Sequence, residues 1–174
     1  CRINGSSYAY EIKTEYDTFD RLGSQMQDYL RTFEKVYVIV PIGRVNDVKN
    51  LIPESCGIIS YRITKNREVV FSYQKCAQKN CCDIKFCLDS LSSGDMSYLL
   101  KLLNEKDFKT RADKRTRLLQ IAATRSIWTP YRKLLRHKYA DQWRFITEHF
   151  DQILPVDIQS FFSSKMDPNL LYAK

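Results

Sequence analysis

Lys35-Val36-Tyr37-Val38-Ile39-Val40 constrains the fold more than any other segment. It is a continuous apolar run of strand length, stopped by Pro41, and such a run reads as a strand buried within a sheet. Before it, Phe19, Leu22, Met26, Tyr29, Leu30 and Phe33 recur at helical spacing. Asp17 stands where an N-cap would start that helix. Earlier still, Tyr8 to Lys13 alternates in the manner of a strand, and Asn4-Gly5 supplies a hairpin turn, with Ser6 and Ser7 allowing a longer loop. The order is therefore hairpin strand, helix, buried strand.

On the hairpin strand, Tyr8 to Lys13, Glu11 and Lys13 lie two apart and project from one face. The carboxylate suits a hard divalent cation. The lysine suits a metal-bound water or a scissile phosphate. Gln25 and Tyr29 lie one helical turn apart and are able to face that strand. The plain alternative is a surface strand with a charge pair.

The segment Tyr10-Glu11-Ile12-Lys13-Thr14-Glu15-Tyr16-Asp17-Thr18-Phe19-Asp20-Arg21-Leu22 resembles a little-characterised bacterial branch of the PD-(D/E)XK, or restriction-endonuclease-like, nuclease superfamily. Gln25-x-x-x-Tyr29 is similar to the Q-x-x-x-Y element of its RecB-like members. The resemblance covers residues 3 to about 73. It implies a mixed sheet flanked by helices and Mg2+- or Mn2+-dependent hydrolysis of DNA. It places Glu11 on the metal, Lys13 at the attacking water, Gln25 near the phosphate or the metal shell, and Tyr29 in support. The superfamily pattern also needs an aspartate on the strand before Glu11, and no carboxylate precedes Glu11 here. The expectation is an N-terminally incomplete core, with that strand and a leading helix upstream of Cys1, and inactive in this form. The alternative is a nuclease fold that has lost catalysis and binds nucleic acid or protein.

The net charge of +8 is concentrated. Residues 101–138 hold 12 Lys or Arg against Glu105, Asp107 and Asp113, a local +9 that leaves the remainder near −1. A basic segment beside such a core suits a phosphate backbone, with Arg115, Arg117, Arg132, Lys133 and Arg136 as contacts. A solvated helix face would look the same. Four of six cysteines form Cys76-x4-Cys81-Cys82-x4-Cys87. This lacks the C-x2-C pairs usual for structural zinc and is compatible with ordinary reduced thiols.

With 44% apolar and 13% aromatic residues, the chain has material for a packed core. It has no Gly-rich phosphate loop, which argues against a nucleotide cofactor. Its longest apolar stretch, residues 36–42, is too short to cross a membrane, so a cytoplasmic protein is expected. Residues 45–52 read as a short helix, and residues 57–63 and 68–73 as an antiparallel strand pair. Residues 74–89 read as irregular. Helices are expected around Met96 to Leu103, Arg115 to Ala123, and from Thr129-Pro130 onward. The last carries a stripe of Tyr131, Leu134, Leu135, Tyr139, Trp143, Ile146 and Phe150, and Pro155 opens a final helix with Phe161 and Phe162 buried. His137 and His149 sit in no ligand pattern. The expected organisation is an α/β nuclease-like core over 1–75, a Cys-rich junction over 76–94 and a basic helical appendage over 95–174.

Overall fold

The structure is a computed structural model that describes residues 2–153. Strands β1 (Arg2–Asn4) and β2 (Ser6–Ile12) form a hairpin. The pairing Asn4↔Ser6 leaves only Gly5 at the bend, so Ser6 and Ser7 belong to the strand rather than to a longer loop. Gly5 has φ +70, the left-handed region that glycine enters without a Cβ penalty.

Helix α1 (Leu22–Thr32) carries the chain from β2 to β3 (Lys35–Pro41), which runs parallel to β2. Asp17 does not cap this helix; Arg21 occupies the cap position. Instead Asp17 Oδ2 accepts from Thr14 N and Thr14 Oγ1, both at 2.6 Å. That local turn competes with capping for the same carboxylate, and the paired bonds hold the Asp17 carboxyl below the usual carboxylate range.

After β3 come a 3-10 turn (Ile42–Arg44) and a helix, α2 (Val45–Lys49), shorter than the expected 45–52. Strands β4 (Gly57–Ile63) and β5 (Val69–Lys75) complete a five-stranded sheet in sequential order. β4 is parallel to β3, and β5 is antiparallel to β4. One face of this mixed sheet buries Ala9, Val36, Val38, Val40 and Ile58 against Leu22 and Met26 of α1 and Val45 and Val48 of α2. One apolar layer thus fixes both helices on the sheet, since burying apolar surface is the dominant favourable term in folding.

The remainder is helical: α3 (Ile84–Asp89), α4 (Ser93–Leu102), α5 (Arg111–Thr124), α6 (Trp128–Lys138) and α7 (Ala140–Glu148). Residues 84–89, expected to be irregular, are helical because the Asp83 side chain accepts from Lys85 N and Phe86 N. Ser92 and Asp95 form a capping box on α4. Thr110 caps α5, which starts earlier than Arg115. A second core gathers Leu88, Leu91, Met96, Leu99, Leu100, Leu118, Ile121, Tyr131 and Leu134.

Two expectations about the last helices are corrected. Ile127, not Thr129, precedes the first helical residue of α6, and Pro130 sits inside the first turn, where its missing N–H costs no ladder bond. The stripe from Tyr131 to Phe150 is not continuous, because Tyr139 leaves helical geometry at φ −112 and ψ 12 and resets the helical phase. Tyr131 and Leu134 are buried, but Trp143 is 62% and Phe150 69% exposed. Pro155, Phe161 and Phe162 lie outside the described residues. Among the described residues, no helix is long and apolar enough to cross a membrane.

Candidate functional site

Glu11 lies near the end of β2, opposite Val38 of the parallel strand β3. Strand alternation sends Glu11 to the face that carries α1. Lys13 follows directly and remains tied to the sheet through Lys13 N donating to Ile39 O at 2.9 Å. On α1, Gln25 and Tyr29 share one face, and both turn toward this strand end.

The four side chains make one bonded cluster. Lys13 Nζ lies 3.1 Å from Glu11 Oε1, with the lysine and glutamate side chains 13% and 15% exposed. Lys13 Nζ also donates to Gln25 Oε1 at 3.2 Å. Tyr29 OH donates to Glu11 Oε2 at 2.9 Å. Burial, with the hydrogen bond the phenol donates to the Glu11 carboxylate, pushes the Tyr29 phenol up to about 12. Tyr29 therefore stays a neutral donor through the physiological range. Glu11 has both oxygens engaged, and Lys13 is held between a carboxylate and an amide oxygen. An ammonium so placed can orient a water or a phosphate oxygen beside the carboxylate.

As a metal site the cluster is one carboxylate with an ammonium alongside. Glu11 is the group that would hold a hard cation, through lone pairs not used by Lys13 and Tyr29. Among the described residues no three His, Cys, Asp or Glu side chains are grouped to hold a metal ion. The β1–β2 pairing runs Arg2↔Tyr8, Ile3↔Ser7 and Asn4↔Ser6, so no described residue faces Glu11 across the hairpin. Cys82 lies close enough to Cys81 and Cys87 to feel their charge, but among the described residues no three cysteines form a group that could hold a metal ion. Cys87 is buried in the helical core, Cys82 is half-buried, and Cys76 and Cys81 are exposed. Burial raises the Cys87 thiol and pushes the Cys82 thiol up to about 12, which disfavours the thiolate that metals prefer.

Two residues that carried no sequence signal support this region. Arg44, on the 3-10 turn after β3, donates from Nη1 to Thr14 O, Glu15 O and Asp17 O at 3.1, 3.2 and 2.7 Å. It thereby pins the turn that leaves Lys13. Glu34, between α1 and β3, accepts from Ser7 N at 2.9 Å and pairs with Lys79 and Arg132. Neither belongs to a motif, because both act on partners far away in sequence.

The expected nucleic-acid contacts separate into two groups. Arg115 pairs with Asp89, Arg117 with Glu105 and Arg132 with Glu34. Lys133 and Arg136 are exposed on α6 and have no carboxylate partner among the described residues. His137 stacks on Tyr98 at 4.5 Å, and His149 caps α7 against Phe145.

A family model described as "Bacteriophage P4 protein cII" matches residues 1–161. The chain belongs to the bacteriophage P4 cII protein family. Protein cII of Enterobacteria phage P4 is 29% identical to it over 68 residues, which is 39% of this chain and 25% of that protein. The match thus spans about a quarter of the length of that relative. No solved structure matches the chain. For this P4 cII family member, the Glu11–Lys13–Gln25–Tyr29 cluster is the most concentrated group of chemically capable side chains in the sheet-bearing part.

Proposed function

We propose that this P4 cII family member carries part of a metal-dependent phosphodiesterase site of the PD-(D/E)XK type, acting on DNA. The observation that carries the reading is the single bonded cluster of Glu11, Lys13, Gln25 and Tyr29 at the end of β2. These are the residues that the nuclease resemblance points to in this chain, the pattern's aspartate apart, and they meet across a strand, a loop and a helix. In this reading Glu11 holds Mg2+ or Mn2+, which when bound supplies charge stabilisation at the phosphate and a more acidic water. Lys13, as an ammonium, orients the attacking water or a phosphate oxygen beside the carboxylate. Gln25 fixes the lysine, and Tyr29 fixes the carboxylate.

A specific observation favours a second reading. Glu11 is the only carboxylate of the cluster among the described residues, and one carboxylate is a poor cage for Mg2+. The same fold without catalysis would serve as a nucleic-acid- or protein-binding module.

The test is cleavage by the product of the whole source gene, with any residues it encodes before Cys1. Labelled DNA is incubated with Mn2+ or Mg2+, and separately with EDTA. The nuclease reading expects cleavage that EDTA stops and that Glu11→Ala removes. Nucleic-acid binding without cleavage, in Mn2+ and over DNA and RNA substrates, would instead favour the inactive module.

A further inference from the structure

The sheet has two faces, and among the described residues only one is covered by helices. The uncovered face is set by strand alternation and register. It carries Arg2, Tyr8, Tyr10 and Ile12 from the hairpin, Lys35, Tyr37 and Ile39 from β3, and Ile59, Phe71 and Tyr73 from β4 and β5. The buried cluster on this side is Tyr37, Ile59 and Ala77, with Tyr8, Tyr10 and Ile39 packed at its margin. Among the described residues no helix contributes to it. A central parallel trio of strands usually has both faces covered, so this surface is built to receive something.

Its aromatic order is fixed. Tyr8 and Tyr10 lie with ring centroids 6.4 Å apart and planes 7° from parallel. Tyr10 and Tyr37 follow at 5.8 Å and 17°. Tyr73 meets Tyr37 edge-on at 5.8 Å and is itself 67% exposed. Gly57 makes this row possible, because a Cβ there would run into the Tyr37 ring and come within 2.7 Å of Ala77 N. Charge completes the pattern. The Arg2 guanidinium and the Lys35 ammonium bracket the Tyr8 ring at 5.9 and 5.8 Å. Among the described residues no carboxylate projects from this face, since Glu11 and Glu34 serve the helix side.

We infer that this open face binds single-stranded nucleic acid, with bases stacking on Tyr8, Tyr10 and Tyr73 and phosphates meeting Arg2 and Lys35. Aromatic rings on an open sheet, flanked by cations and free of acidic groups, are the chemistry that holds unpaired bases with little sequence preference. A protein partner would need no cations bracketing a tyrosine. A duplex would keep its bases stacked away from the rings. The surface lies on the opposite side of the sheet from Glu11 and does not depend on that site being catalytic.

The test uses the 174-residue chain with fluorescent oligothymidylate of about 12 nucleotides, matching site sizes of such surfaces. EDTA and a thiol reductant are present, so no cleavage is involved. Anisotropy should report binding that weakens with salt, and a matched duplex should bind less well. Tyr10→Ala should weaken binding about tenfold, Tyr10→Phe should preserve it, and Lys35→Glu should weaken it. Tyr73→Ala, at an exposed position, provides a second variant whose folding is not at stake. Photo-crosslinks from 4-thiothymidine should map to β2, β3 or β5. The inference is overturned by absent binding, by affinity indifferent to both tyrosine deletions, or by crosslinks confined to α6. It is equally overturned by a dimer that Phe71→Glu dissociates, which would make the face a self-association surface.

Discussion

Arg132 Nη1 on α6 donates to Glu34 Oε2 at 2.9 Å, joining residues 98 apart in sequence. The side chains are 19% and 12% exposed, so water screens the pair little. Glu34 also accepts from Ser7 N, and Lys79 sits 3.2 Å from its other oxygen. One carboxylate thus fastens the sheet, the loop after β5 and the helical part together. An arginine that looks like a phosphate contact in the sequence is here a structural clamp.

That clamp makes stability acid-sensitive. Burial alone would raise the Glu34 carboxyl, but the Ser7 N–H, Lys79 and Arg132 hold it below the ordinary value. A depressed folded pKa gives stability that is complete above the unfolded value of about 4.3 and is lost as pH falls through the folded one. Glu34→Gln should therefore lower stability by about 2 kcal/mol at neutral pH and flatten its loss below pH about 4.3. Urea titrations from pH 7 to pH 3 check this, and parallel pH profiles for the two proteins would contradict it.

Catalysis should divide the site residues. In the whole gene product, Glu11→Ala should remove activity by weakening metal binding. Lys13→Ala should remove activity with metal affinity kept. Gln25→Ala, which frees Lys13 from its 3.2 Å acceptor, should lower kcat about tenfold, a milder effect than removing an acid–base group. Metal titration calorimetry beside single-turnover rates separates these outcomes.

Metal binding to the 174-residue chain itself should be weak. A lone carboxylate already bonded to Lys13 and Tyr29 competes poorly for Mg2+. Calorimetry should show no tight Mg2+ site, and a tight site that Glu11→Ala abolishes would refute this expectation.

The basic helices should separate by their ion pairs. Lys133→Glu with Arg136→Glu should weaken duplex DNA binding for all sequences alike and reduce the salt slope by about 2. Arg115→Glu and Arg117→Glu should mainly cost stability, because they break pairs with Asp89 and Glu105. Salt-dependent filter binding together with thermal melts distinguishes the two groups.

Gly57→Ala should destabilise the fold by about 1–3 kcal/mol, since the added methyl meets the Tyr37 ring and the Ala77 backbone. Thermal melts read it directly, and an unchanged midpoint would show that the tyrosine row can shift.

Local patterns were legible wherever the chemistry was local. The apolar run 35–40 became β3, the Phe19–Phe33 stripe became α1 packed on it, and residues 57–63 became β4. The spacing of Glu11, Lys13, Gln25 and Tyr29 was readable because strand period 2 and helix period 3.6 predetermine which side chains share a face. Other details depended on competitors outside any short window. Asp17 satisfies Thr14 instead of capping α1, Tyr139 interrupts an otherwise regular stripe, and Asp83 turns a Cys-rich stretch into α3. Charge count showed that residues 101–138 are basic, but only tertiary contacts decided which cations are spent on Asp89, Glu105 and Glu34 and which, Lys133 and Arg136, remain on the surface. Sequence by itself determined the sheet strands, α1 and which of the four site residues share a face, because backbone periodicity sets these. The tyrosine row, the Arg44 pin and the Glu34 clamp came only from tertiary structure, because each depends on partners brought together by the parallel crossover and the packing of distant elements.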